Sequence, residues 1–122
     1  MSLTEAGTLL LHNPRCSKSR AAKAWLEEQG HTFVERLYLE EPLSTAELAE
    51  LRELLGLPPR EWVRSGQDEY GAAGLSPNSS DVEHYAAMSA APVLVERPIV
   101  VHGGAAAVGR PLERVVELFE ED

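Results

Sequence analysis

Residues 8–37 read as strand, helix and second strand joined by short turns, and that opening constrains the fold more than any other feature of the chain. Residues 8–12 are a short apolar run, Thr8-Leu9-Leu10-Leu11-His12. Residues 17–29 carry Ala21, Ala22, Trp25 and Leu26 at helical spacing, with Gly30 as the stop. Residues 31–37 alternate around Phe33 and Val34 and are rich in strand formers. A strand–helix–strand unit of this kind favours parallel pairing of its two strands.

The remainder of the chain completes a pattern. After a break at Pro42, Ser44-Thr45-Ala46-Glu47 spells a capping box. Leu48, Leu51, Leu54 and Leu55 then form an apolar stripe that ends at Gly56. Residues 58–64 predict a short helix with proline in its first turn, and residues 66–74 are polar and ambiguous. Ser80-Asp81-Val82-Glu83 is a second capping box, opening a helix through Tyr85, Ala86 and Met88 that ends before Pro92. Residues 97–102 form an extended apolar run, Gly103-Gly104 a hairpin turn, and residues 105–108 the return strand, closed by Gly109-Arg110-Pro111. Leu112, Val115, Val116 and Phe119 line one face of a terminal helix. The predicted fold class is therefore α/β: βαβ, a helical insertion at about residues 43–92, then ββα around a mixed four-stranded sheet. One domain over residues 1–122 is expected, with residues 1–7 a loose lead-in.

The formal net charge of −9 argues against nucleic-acid binding, which needs a basic face. No stretch approaches the ~20 apolar residues that span a bilayer, and no leader pattern is seen, so the expected setting is cytoplasmic with no membrane partner. Four histidines and one cysteine show no structural metal spacing, so neither a metal nor a bound cofactor is expected.

That cysteine, Cys16, sits in His12-Asn13-Pro14-Arg15-Cys16-Ser17-Lys18-Ser19-Arg20, at the turn from the first strand into the first helix. Lone cysteines are often small buried hydrophobes. Here, however, the neighbours are turn-forming and cationic, and the free amides of a helix start favour a thiolate and an anion beside it. Asn13, Arg15 and Ser17 are candidate oxyanion contacts. His12 is either a partner of the thiolate or a strand-end histidine bonded to backbone. Arg64, Arg97 and Arg110 offer planar forks suited to tetrahedral oxyanions, although spacing alone does not bring them together. Without a second cysteine, Cys16 cannot complete a thiol–disulfide cycle within one chain.

The segment from His12 to Arg20 closely resembles the active-site loop of the glutaredoxin-coupled arsenate reductases. Glu96-Arg97-Pro98-Ile99-Val100-Val101 and Gly109-Arg110-Pro111 resemble two further motifs of that family in the same order. The resemblance implies a thioredoxin-like fold and a reaction in which Cys16 attacks arsenate, glutathione adds as co-substrate, and glutaredoxin resolves the mixed disulfide as arsenite leaves. It implies that His12 helps hold the thiolate and that Arg97, Arg110 and either Arg64 or Arg60 bind the oxyanion. It also implies that Pro98 follows a cis bond, a state that sequence alone leaves open. The fold is similar to that of Spx-type regulators of RNA polymerase as well. Their Cys-x-x-Cys switch is missing here, because the second position is Ser19. A related thiol oxidoreductase with another substrate is the remaining alternative.

Overall fold

The computed structural model describes residues 2–120. Its elements follow the order β1 (Thr8–Leu11), α1 (Ser17–Glu28), β2 (Val34–Arg36), α2 (Thr45–Leu55), α3 (Asp68–Ala72), α4 (Asp81–Ala90), β3 (Ile99–His102), β4 (Ala105–Val108) and α5 (Glu113–Glu120), with 3-10 turns at Pro59–Glu61 and Pro92–Leu94. The sheet runs β2-β1-β3-β4. β1 pairs parallel with β2 and antiparallel with β3, and β4 returns antiparallel along β3. This is the mixed four-stranded, thioredoxin-like α/β arrangement expected from the order of elements.

The two central strands are apolar on both sides because helices cover both faces of the sheet. Leu9, Leu11, Ile99 and Val101 face a core shared with Leu48, Leu51, Met88 and Trp62. Leu10 and Val100 point the other way, onto Ala22 and Leu26 of α1 and Val115 of α5. The period of two along each strand thus assigns alternate residues to two separate cores. Both capping boxes form: Ser44 accepts from Glu47 N–H and Ser80 from Glu83 N–H, while each glutamate bonds back to the cap backbone. Gly56 ends α2 at φ 68°, a left-handed conformation that glycine adopts without Cβ strain.

The structure corrects several sequence expectations. The lead-in is not loose throughout: Leu3 is buried, its N–H donates to Glu50 Oε1 at 2.8 Å, and Ser2 bonds the same carboxylate. Met1 and the last two residues lie outside the described residues. β2 is three residues rather than seven, and its register with β1 starts only at Val34. The helix expected over residues 58–64 is a single 3-10 turn, after which Val63 bridges Val95. The ambiguous segment holds a short helix, α3. Ala21 and Ala86 lie at the solvent side of their helices, not in the core. β3 begins at Ile99, since Pro98 has no N–H to give a ladder.

Candidate active site

Three pairings assemble the site. Leu11 lies opposite Ile99, so the loop leaving β1 and the segment entering β3 emerge at the same end of the sheet. The Val63–Val95 bridge, with Arg64 N–H donating to Leu94 O at 2.7 Å and Glu96 N–H to Trp62 O at 3.0 Å, sets Arg64 opposite Leu94 and holds its segment against the one that leads into Arg97. Gly109 N–H donates to Pro98 O at 2.8 Å, which draws Arg110 against Arg97. A Cβ on Gly109 would sit 2.8 Å from Pro98 Cγ and 3.2 Å from Val115 Cγ2, so only glycine allows this approach. Both Arg97–Pro98 and Arg110–Pro111 are cis, which answers the question left open for Pro98 and adds a second cis bond not anticipated.

Cys16 is the N-cap residue of α1, half-buried and unpaired in any disulfide. Arg110 Nη1 donates to its Sγ at 3.7 Å and to Arg97 O at 3.2 Å. Burial by itself pushes the thiol pKa up. The N–H groups of Ser19 and Lys18, the Arg97 charge and the Arg110 hydrogen bond outweigh it, and the net direction is down, toward the thiolate. The sulfur makes no short capping hydrogen bond, so the amides act on it as an electrostatic field of the helix start.

The loop between β1 and Cys16 is held by its own polar groups. Asn13 Oδ1 accepts from Arg15 N–H at 3.0 Å, and Asn13 O accepts from Cys16 N–H at 3.0 Å. Arg20 Nη1 donates to Pro14 O at 2.9 Å. Asn13 is therefore a turn-maker. Arg15 and Ser17 are exposed, with their side chains free to meet a ligand at the mouth.

His12 does not hydrogen-bond Cys16. It is buried, with Nδ1 2.7 Å from Ser19 Oγ and Nε2 3.5 Å from Glu35 Oε1, a carboxylate also held by Lys23 at 3.1 Å. Burial lowers its pKa, Glu35 pulls it back up, and Lys23 and Arg20 add to the lowering. With Nε2–H facing Glu35, Nδ1 accepts and Ser19 O–H donates. Ser19 Oγ in turn accepts from Asn13 N–H at 3.0 Å. Any influence of His12 on the sulfur thus runs through Ser19 and the loop. In the sequence Ser19 stands out only as the residue in place of a second cysteine. Its position three and seven residues before Ala22 and Leu26, on the buried stripe of α1, was the signal that it faces inward.

Among the arginines, Arg97 Nη1 is paired with Glu96 Oε1 at 2.6 Å, and Arg64 Nη1 reaches Val93 O at 3.3 Å. Arg64 is half-buried beside this cluster, whereas Arg60 is exposed on the 3-10 turn. In the sequence Glu96 lies within a motif but carries no signal of a role, and no local pattern marks Tyr38, which is fully buried. The site brings together a thiol at a helix N-terminus and the guanidinium groups of Arg110 and Arg97, chemistry that can set a nucleophile beside an oxyanion. Among the described residues no group of three or more histidine, cysteine or acidic side chains is placed to hold a metal.

Comparison with known proteins gives the site relatives. Residues 11–118 match the model of the ArsC family. A protein of Neisseria meningitidis serogroup A named arsenate reductase is 44% identical over 108 residues, 87% of this chain and 92% of that one. The solved structure of an arsenate reductase from Vibrio cholerae superposes with a TM-score of 0.86 at 42% identity, covering 97% of this chain and 98% of that one. A putative arsenate reductase from Yersinia pestis superposes with a TM-score of 0.84 at 43% identity, covering 90% and 98%.

Proposed function

The chain belongs to the ArsC family, and from that premise we propose that it is an arsenate reductase, an oxidoreductase whose nucleophile is Cys16. The observation that carries the reading is the Arg110 guanidinium on Cys16 Sγ, with Arg97 tied to the same group, beside the first amides of α1. A thiolate and an arsenate dianion repel each other. Guanidinium groups and backbone amides remove that barrier by neutralising oxygen charge before and during attack.

The Cys16 thiolate attacks arsenic, an As–O bond breaks, and the departing oxygen leaves as water after taking protons. Arg97, Arg110 and Arg64 hold the remaining oxygens, with Arg15 and Ser17 at the mouth and Asn13 fixing the loop. Arg64, not Arg60, is the third arginine, because it is half-buried and, like Arg97, acts electrostatically on Tyr38, whereas Arg60 is exposed. A glutathione thiolate then attacks Cys16 sulfur. The S–As electron pair passes to arsenic, which leaves as arsenite two electrons richer, and Cys16 remains as a mixed disulfide with glutathione. Glutaredoxin restores the thiolate by exchange.

A second thiol from outside is required because the position three residues on is Ser19, whose hydroxyl is engaged by His12 and Asn13. His12 is a positioning residue that acts through Ser19. We read the whole chain as one domain, and dependence on glutathione places it in a reducing, cytoplasmic setting. Among the described residues no helix is long and apolar enough to cross a membrane.

The test is arsenite production from arsenate with glutathione, glutaredoxin and NADPH. The wild-type protein should turn over and Cys16→Ser should not; substantial activity surviving in that variant refutes the nucleophile.

A further inference from the structure

Tyr38 follows β2 at the same end of the sheet as the Cys16 loop, and nothing so far assigns it a task. Its side chain is fully buried, with 0% exposure, and its hydroxyl has no hydrogen-bond partner among the described residues. A buried hydroxyl without a partner costs about 1–3 kcal/mol, so its presence in a tightly packed core calls for a reason. Tyr38 lies in the turn just beyond β2, on which Val34 and Arg36 share one side. Arg36 on that side bonds Glu47 of α2 at 2.7 and 3.0 Å, and Tyr38 joins the core that contains Leu11, Trp62 and Ile99.

The charged groups within electrostatic reach of the hydroxyl are those of the site: Arg97, Arg64, Cys16 and Glu96. The two guanidinium groups are donors only and cannot accept its proton. Burial pushes the phenol up to about 12, with Arg97 and Arg64 opposing, so the group stays a neutral donor throughout the working range.

Resting on the arsenate reading of the site, we propose that Tyr38 is a further oxyanion-binding residue, its hydroxyl donating a hydrogen bond to an oxygen of the anion gathered between Arg64, Arg97 and Cys16. This anion supplies the acceptor that the surrounding protein does not. A neutral donor beside two cations also suits an anion whose charge changes during the reaction, because its hydrogen bond needs no matching charge.

Tyr38→Phe removes one oxygen and keeps the ring. The probe is protection of Cys16 from iodoacetamide by arsenate and, separately, by sulfate, with the melting temperature of the ligand-free protein measured alongside. In the wild-type protein arsenate should protect Cys16. In Tyr38→Phe the half-protecting concentration should rise about tenfold or more, the usual factor for a lost hydrogen bond to a charged acceptor. The ligand-free melting temperature should hold or rise, because an unpaired hydroxyl has been deleted. Equal protection of both proteins overturns the role of Tyr38 and leaves the arsenate reading intact. A fall in melting temperature overturns it too, since the hydroxyl would then be paired within the fold. Absence of protection in the wild-type protein overturns both.

Discussion

Replacing Ser19 with alanine removes one oxygen atom, yet it should disturb both stability and reactivity. Ser19 has 0% exposure, and its Oγ accepts from Asn13 N–H at 3.0 Å while lying 2.7 Å from His12 Nδ1. Truncation leaves two polar groups without partners. His12, at 3% exposure, has no water to turn to, whereas Asn13 is half-exposed and recovers part of its loss. With about 1–3 kcal/mol for each buried group left unpaired, the larger His12 loss plus a partial Asn13 loss sums to about 3 kcal/mol. For a chain of 122 residues this corresponds to roughly 10–15 °C in melting temperature. Calorimetry on the ligand-free protein reads it directly. Ser17→Ala, an exposed change in the same helical turn, is the control and should stay within about 0.5 kcal/mol. Iodoacetamide alkylation supplies a second readout. Asn13 O receives the Cys16 N–H, so loosening Asn13 should slow the thiolate reaction as well. A Ser19→Ala protein that melts within about 2 °C of wild type and alkylates at the same rate refutes the reasoning, because the hydroxyl would then bridge nothing of consequence.

Arg110→Ala removes the donor at 3.7 Å from Cys16 Sγ, so the thiol should titrate at higher pH and its alkylation at about pH 6 should slow roughly three- to tenfold; an unchanged pH–rate profile contradicts the charge argument. His12 carries a pH dependence of known sign. Burial, its largest influence, holds its folded pKa below the ordinary 6.5, so the unfolded chain binds more protons across that interval and stability rises with pH there. The contribution is present above 6.5 and is lost as pH falls through the lowered value. Urea unfolding from about pH 7 to about pH 5 should therefore show a steeper loss for wild type than for His12→Gln, and parallel curves would remove His12 as the titrating group.

The chain's own pattern determined its local structure wherever the cause lies within a few residues. Two capping boxes, Gly56 after the leucine stripe and the Gly103-Gly104 turn all formed where the sequence put them, because each depends on groups within one helical turn or one hairpin. Cys16 at a helix start was legible for the same reason. Element ends were less so: the 3-10 turn at Pro59–Glu61 and the short β2 depend on which backbone groups find partners across the sheet.

The site needed tertiary structure. Arg64, Arg97 and Arg110 are scattered along the chain, and each alone reads as a solvated arginine. The β2-β1-β3-β4 order brings β3 beside β1, and the Val63–Val95 bridge and the Gly109–Pro98 contact draw the arginine-bearing segments together. Nor can sequence decide which polar atoms end up buried with a partner and which without one. Ser19 gained two and, among the described residues, the Tyr38 hydroxyl none. Helix and strand period assigns a side chain to a face, but what waits on that face is settled only when distant segments pack against it.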